Sequence, residues 1–137
     1  MRETPHPLII SVDFDDTIFE CPTYPGIGNI IPDAKRVINK LAEEPDVHII
    51  INSCRDKANE QMVIDALVSH GVKFHSFNEN YLPLVEKYGE TRKIGADIYI
   101  DNKNIFMHHY GWDEIEKELY RRLEVLRRGE RYRHVML

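Results

Sequence analysis

The sequence predicts an α/β fold in which a mostly parallel sheet lies between two layers of helices, and three observations carry that expectation. Short apolar runs at residues 8–12, 47–51 and 98–100 alternate with stretches of helical period. The runs are dominated by Ile, Val and Leu, as expected of strands buried on both faces. Polar residues stand where they end, at Asp13, Ser53 and Asp101, and an open parallel sheet presents its ligand site at the carboxyl ends of its strands.

Taken in order, Leu8-Ile9-Ile10-Ser11-Val12 is a strand closing at Asp13. Residues 19–31 carry Pro22, Pro25, Gly26 and Gly28 and form a loop or small flap. Pro32-Asp33 opens a helix with Val37, Ile38 and Leu41 on one face, stopped near Pro45. Val47 to Ile51 is the second strand. A second helix starts near Lys57, turns Ala58, Met62, Val63, Ala66 and Leu67 inward and stops at Gly71. Val72 to Phe77 reads as a short strand, Leu82 to Tyr88 as a short helix and Ile98 to Ile100 as the last strand. The closing helix runs from about Asp113 to Arg128, with Ile115, Leu119, Leu123 and Leu126 as its apolar stripe.

Composition narrows the function classes. A chain of 137 residues is expected to be a single domain, with a basic closing helix and tail over about 113–137. Its 42% apolar and 30% charged residues argue against disorder, and its net charge of −5 disfavours nucleic acid as the main partner. Cys21 and Cys54 form neither a disulfide framework nor a CxxC zinc pattern. With neither a signal segment nor an apolar run of membrane-spanning length, the expectation is a cytoplasmic protein without a membrane partner.

The chemistry concentrates after the first strand. Val12-Asp13-Phe14-Asp15-Asp16-Thr17 sets three carboxylates within four positions. Like charges that close repel unless a cation is bound or one carboxylate is protonated. Mg²⁺ suits such oxygens, because it keeps several waters and is shared with a phosphate. An acidic turn capped by Thr17 is the plainer alternative, and it loses ground after a buried apolar strand.

The stretch Val12 to Ile18 resembles the first motif of the haloacid dehalogenase (HAD) superfamily of phosphohydrolases, a hydrophobic strand followed by DxDxT. Ile49-Ile50-Ile51-Asn52-Ser53 is similar to its second motif, Lys93 stands where the third places its lysine, and Tyr99-Ile100-Asp101-Asn102 resembles the acidic fourth. The resemblance implies a Rossmann-like three-layer sandwich. It implies Asp13 as nucleophile, Asp15 as general acid and base with a raised pKa, Ser53 as a phosphoryl donor and Lys93 as the neutralising cation. Mg²⁺ would be held by Asp13, the Asp15 carbonyl and Asp101. Thr17, Asn52 and Arg55 are expected to help bind a phosphorylated substrate, with a solvated loop arginine as an equal reading of Arg55.

Asn102 departs from the pattern, since many members carry a second acid there. Asp97 would supply one by spacing, but four residues along a strand is about 13 Å, at the wrong end of the sheet. Residues 18–52 and 54–92 are already used by the flap and the predicted elements, so no cap domain fits. A capless site is open, which suits a large substrate or closure by a homo-oligomer, and makes the flap with Tyr24 the local lid. Cys54 is expected to be a packing residue and His108-His109 an exposed pair. Between Arg121 and His134 stand six arginines against two glutamates, read as a solvated face and tail, with a docking patch as the minority reading. The expectation is therefore a Mg²⁺-dependent phosphatase of phosphomonoesters. The alternatives are a catalytically weak binding or regulatory domain of the same fold and, less favoured because the second strand ends in Ser53, a phosphoacceptor receiver.

Overall fold

A computed structural model of the protein describes residues 6–103 and 111–129. His108-His109 and the tail from residue 130 lie outside the described residues. The chain runs β1 (Leu8–Asp13), α1 (Pro32–Ala42), β2 (Val47–Asn52), α2 (Lys57–Ser69), β3 (Ser76–Phe77), α3 (Leu82–Tyr88), β4 (Ile98–Ile100) and α4 (Trp112–Arg127). The strands form a four-stranded sheet in the order β3-β2-β1-β4, with every adjacent pair parallel.

This topology dictates where the site lies. The chain steps outward from β1 to β2 to β3 and then crosses back to the far side of β1 for β4. α1 and α2 pack with α4 into one core against β1 and β2, while α3, on the crossover back to β4, buries none of its residues. The direction of winding reverses between β1 and β4, and the crevice at that reversal, off the strand ends, is where doubly wound sheets bind ligands.

Side chains alternate across the central strands. Leu8, Ile10 and Val12 of β1 join Ile49 and Ile51 of β2 in one core with Val37, Ile38 and Leu41 of α1, Val63 and Leu67 of α2, and Leu119 and Leu123 of α4. Phe14 and Phe19, just beyond β1, are fully buried and stack with ring centroids 5.0 Å apart; each contributes about 1.5–3 kcal/mol by leaving water. Ile9, Ser11 and Ile50, of the opposite parity, are also buried. Asp13 shares that parity, and its register partner on β2 is Asn52.

Two expectations are corrected. Met62 is 37% exposed and Ala58 is exposed as well, so α2 buries a narrow stripe at Val63 and Leu67. The predicted strand over 72–77 pairs only at Ser76–Phe77. Earlier in that segment the Ile49 N–H donates to the His75 ring Nδ1 at 2.8 Å, a side chain standing in for a backbone carbonyl.

α4 is bound to the start of the molecule. Arg36 of α1 pairs with Asp113 and Glu116, Lys40 with Glu116, and Arg127 with Glu44 and Asp46. Arg121 and Arg122 pair with Glu118. Arg121, Arg127 and Arg128 stay exposed, as expected of a solvated face, while Arg127 also reaches across to Glu44 and Asp46.

Candidate active site

The loop after β1 is built to hold carboxylates at the strand end. The Phe14 carbonyl accepts from the amides of Thr17, Ile18 and Phe19, and Asp16 takes a left-handed φ of +59°, which an aspartate tolerates better than most residues. The tight turn anchors the fully buried Phe14 and Ile18 while Asp13 and Asp15 stay at the rim. Thr17 is buried and its hydroxyl lies 3.5 Å from Asp13 Oδ2.

Asp13 is the electrostatically strained group. Burial, and next the charge of Asp101 followed by that of Asp15, push its carboxyl up to about 7, against the opposing effects of the Phe14 amide and the Lys103 ammonium. Extending the β1–β4 register, in which Val12 pairs with Ile100, by one residue sets Asp101 beside Asp13. Asp101 Oδ1 accepts the Lys103 amide at 2.9 Å, which folds the chain back after β4.

Asp15 makes a two-pronged pair with Arg55: Nε donates to Oδ2 at 3.0 Å and an Nη to Oδ1 at 2.7 Å. The Arg55 side chain is only 1% exposed, so it is not a solvated loop arginine. Its remaining donors go to the Pro25 and Gly26 carbonyls, which leaves the guanidinium spent on Asp15 and the flap. Tyr24 covers it at 5.1 Å and Phe14 lies beneath at 5.7 Å.

Ser53, past the end of β2, is buried; its Oγ accepts the Arg55 amide at 3.3 Å and keeps its own proton to donate. Asn78, which the sequence reading did not single out, holds the Ser53 backbone from the end of β3. Asn52 stands at the same sheet edge, across from Asp13. Lys93 is exposed and its ammonium rests 4.5 Å from the centroid of the Tyr99 ring. The cation acting on Asp13 is Lys103, whose only sequence signal is its place directly after Asp101-Asn102. Asp97 lies at the far end of β4, exchanging hydrogen bonds with the Ile9 backbone. Cys54 is exposed and does not pack, and neither cysteine is in a disulfide.

The donor set near Asp13 is all oxygen. The Asn102 side-chain oxygen is buried and finds no hydrogen-bond partner among the described residues. No group of three or more His, Cys, Asp and Glu side chains able to hold a metal occurs among the described residues. Two carboxylates, a carbonyl and an amide oxygen fit Mg²⁺, which needs only one or two protein carboxylates and completes its shell with water.

A parallel α/β protein with acidic groups gathered at its topological reversal is thus the class that fold and site define. No protein-family model and no curated protein matches the chain. Among solved structures it is similar to a conserved protein from Bacteroides thetaiotaomicron, at 31% identity and a TM-score of 0.73, over 85% of this chain and 93% of that one. At that identity and coverage the chain belongs to the same family as the Bacteroides protein.

Proposed function

We propose that the protein is a Mg²⁺-dependent phosphohydrolase of the HAD type that cleaves phosphomonoesters through an aspartyl-phosphate. The carrying observation is that Asp13, half-buried at the end of β1, has its carboxyl pushed up to about 7, first by burial and next by the charges of Asp101 and Asp15, an acidic cluster that calls for a cation. Asp13, Asp101, the Asp15 carbonyl and the Asn102 amide oxygen would hold Mg²⁺, which when bound lowers the cost of bringing an anionic phosphoryl group to this acidic edge.

The chain's own groups then divide the work. Asp13 Oδ attacks phosphorus while the ester oxygen departs, and Asp15 gives that oxygen a proton. Asp15 next takes the proton of a water that attacks the acyl phosphate, restoring Asp13. Ser53 Oγ donates to a phosphoryl oxygen, and Asn52 flanks it at the strand end. Lys93 supplies a cation once its flexible chain leaves the Tyr99 ring. A second reading, a binding domain of this fold with weak catalysis, is favoured by Asn102 in place of an acid and by the seat of Lys93 on Tyr99.

Hydrolysis of para-nitrophenyl phosphate with and without Mg²⁺, beside Asp13→Asn, tests the proposal. Metal-dependent turnover lost in the variant supports it. Mg²⁺ binding with wild-type turnover no greater than that of Asp13→Asn transfers the case to the binding domain.

A further inference from the structure

The Arg55 guanidinium engages Asp15 and two flap carbonyls. It lies 40 positions from Asp15 and about 30 from the flap carbonyls it meets, yet it binds both at once. Two donors fix both oxygens of the Asp15 carboxylate, and two others reach the carbonyls of Pro25 and Gly26. Bidentate guanidinium–carboxylate pairs fix orientation as well as distance, because the two planes must align.

The flap is shaped to receive this contact. Glu20 N–H donates to the Asn29 carbonyl and Gly28 N–H returns to the Glu20 carbonyl, forming a narrow loop. A Cβ on Gly28 would sit 2.7 Å from that carbonyl oxygen, so the backbone closes there only with glycine. On the side of Asp15, Asp16 Oδ1 accepts the Cys21 N–H, which ties the other limb of the flap to the same turn. Tyr24, 57% exposed, closes the guanidinium off from solvent.

We propose that Arg55 is a positioning residue that locks the flap to the Asp15 carboxylate, so that the lid and the proton carrier take up their places as one unit. Arg55 therefore does not bind substrate; it acts through Asp15 and through the flap. The catalytic part of this inference rests on the phosphohydrolase reading. In the first half-reaction Asp13 Oδ bonds to phosphorus as the P–O bond to the leaving oxygen breaks and its electron pair stays on that oxygen. Asp15, an ionised carboxylate on the guanidinium, frees one oxygen to take a proton from solvent and passes it to the leaving oxygen while Arg55 holds the other. A misaligned Asp15 matters most when that oxygen is a poor leaving group.

Arg55→Lys and Arg55→Ala are to be compared with the wild type on 2,4-dinitrophenyl phosphate and phenyl phosphate. The first leaving group departs without a proton and the second needs one. The expected result is a kcat loss at least tenfold larger on phenyl phosphate, with KM within about threefold for both, and partial recovery of Arg55→Ala by millimolar guanidinium. Equal losses on the two substrates, or a rise confined to KM, overturns the positioning role.

Amide exchange of the flap gives a second readout that needs no turnover. At Glu20, Gly26 and Gly28 exchange should quicken at least tenfold in Arg55→Ala and less in Arg55→Lys, while Asp15→Ala alone has a similar effect and the double variant adds little. Exchange at wild-type rates, or effects that simply add, overturns the lock. If the wild type turns over neither substrate, the phosphohydrolase reading falls, and flap exchange still decides the lock.

Discussion

The Asn78 side chain brackets the Ser53 peptide: its Oδ1 accepts the Ser53 N–H at 2.7 Å and its Nδ2 donates to the Ser53 carbonyl at 3.1 Å. A side-chain amide thereby extends the β2–β3 ladder past the end of a two-residue strand. Asn78 reaches this position with a left-handed φ of +50°, which asparagine accepts at less cost than most residues. Asn78→Ala removes both bonds and keeps the unfavourable backbone. It should destabilise the protein by about 2 kcal/mol, measured as a lower urea midpoint with unchanged slope. Asn78→Asp keeps the acceptor but sets a carboxylate oxygen against the Ser53 carbonyl and against Glu60 Oε1, which Nδ2 also reaches at 3.3 Å, so it should be no milder near neutral pH.

The raised Asp13 carboxyl gives a pH dependence of known sign. Its ordinary value is 3.8 and the folded value about 7, so the folded protein holds a proton that the unfolded chain has released. The stability contributed by that proton is full below about pH 4 and is lost as pH rises through about 7. Partial solvent contact reduces the loss to about 1–2 kcal/mol. Asp13→Asn should therefore raise the metal-free Tm at pH 8 and leave it nearly unchanged at pH 4. Mg²⁺ should stabilise the wild type more at pH 8 than at pH 5, and should do little for the variant.

Two lysines are separable by kinetics. Lys93→Met should lower kcat about 100-fold if its ammonium meets the transferring group. Lys103 is the cation that draws down Asp13, so Lys103→Met should move the acid limb of the pH–rate profile to higher pH with a smaller loss at its plateau. The reverse pattern would assign the neutralising role to Lys103.

His48 and His75 stack at 5.1 Å, and His48 also packs edge-on to Tyr81. Burial lowers both histidines, and the repulsion of His75 lowers His48 further. Each is neutral in the folded state where the unfolded chain begins to protonate. The stability this confers is complete above about pH 6.5 and is lost as pH falls below that. The urea midpoint should drop from pH 7.5 to pH 5.5, and His75→Asn, which retains an acceptor for the Ile49 amide, should flatten that dependence.

β1 and β2 were legible because strands buried on both faces leave near-continuous apolar runs, β4 because Ile98 and Ile100 flank an exposed Tyr99 in a short apolar run, and Asp13, Ser53 and Asp101 because the runs stop at them. β3 was legible in place but read too long, since the pairing before Ser76 is partly delegated to the His75 ring. Arg55 was ambiguous because its partners, Asp15 and the flap carbonyls, approach it only after the chain has crossed the sheet. Asn78 escaped notice for the same reason: a lone asparagine after a short run gives no sign of the backbone it will meet. Met62 misled because an apolar side chain at helical spacing says nothing about how much sheet lies beneath it.

The attachment of α4 has a consequence for synthesis. Leu119 and Leu123 complete the core formed by β1, β2 and α1, and Arg127 grips Asp46, whose carbonyl receives the Leu8 amide at the start of β1. A nascent chain that has emerged only as far as β4 still shows water the apolar surface that α4 will cover. β1 and β2 thus leave the ribosome before the helix that covers them, and a chain cut before Trp112 should be captured by holdase chaperones where one that includes α4 is released.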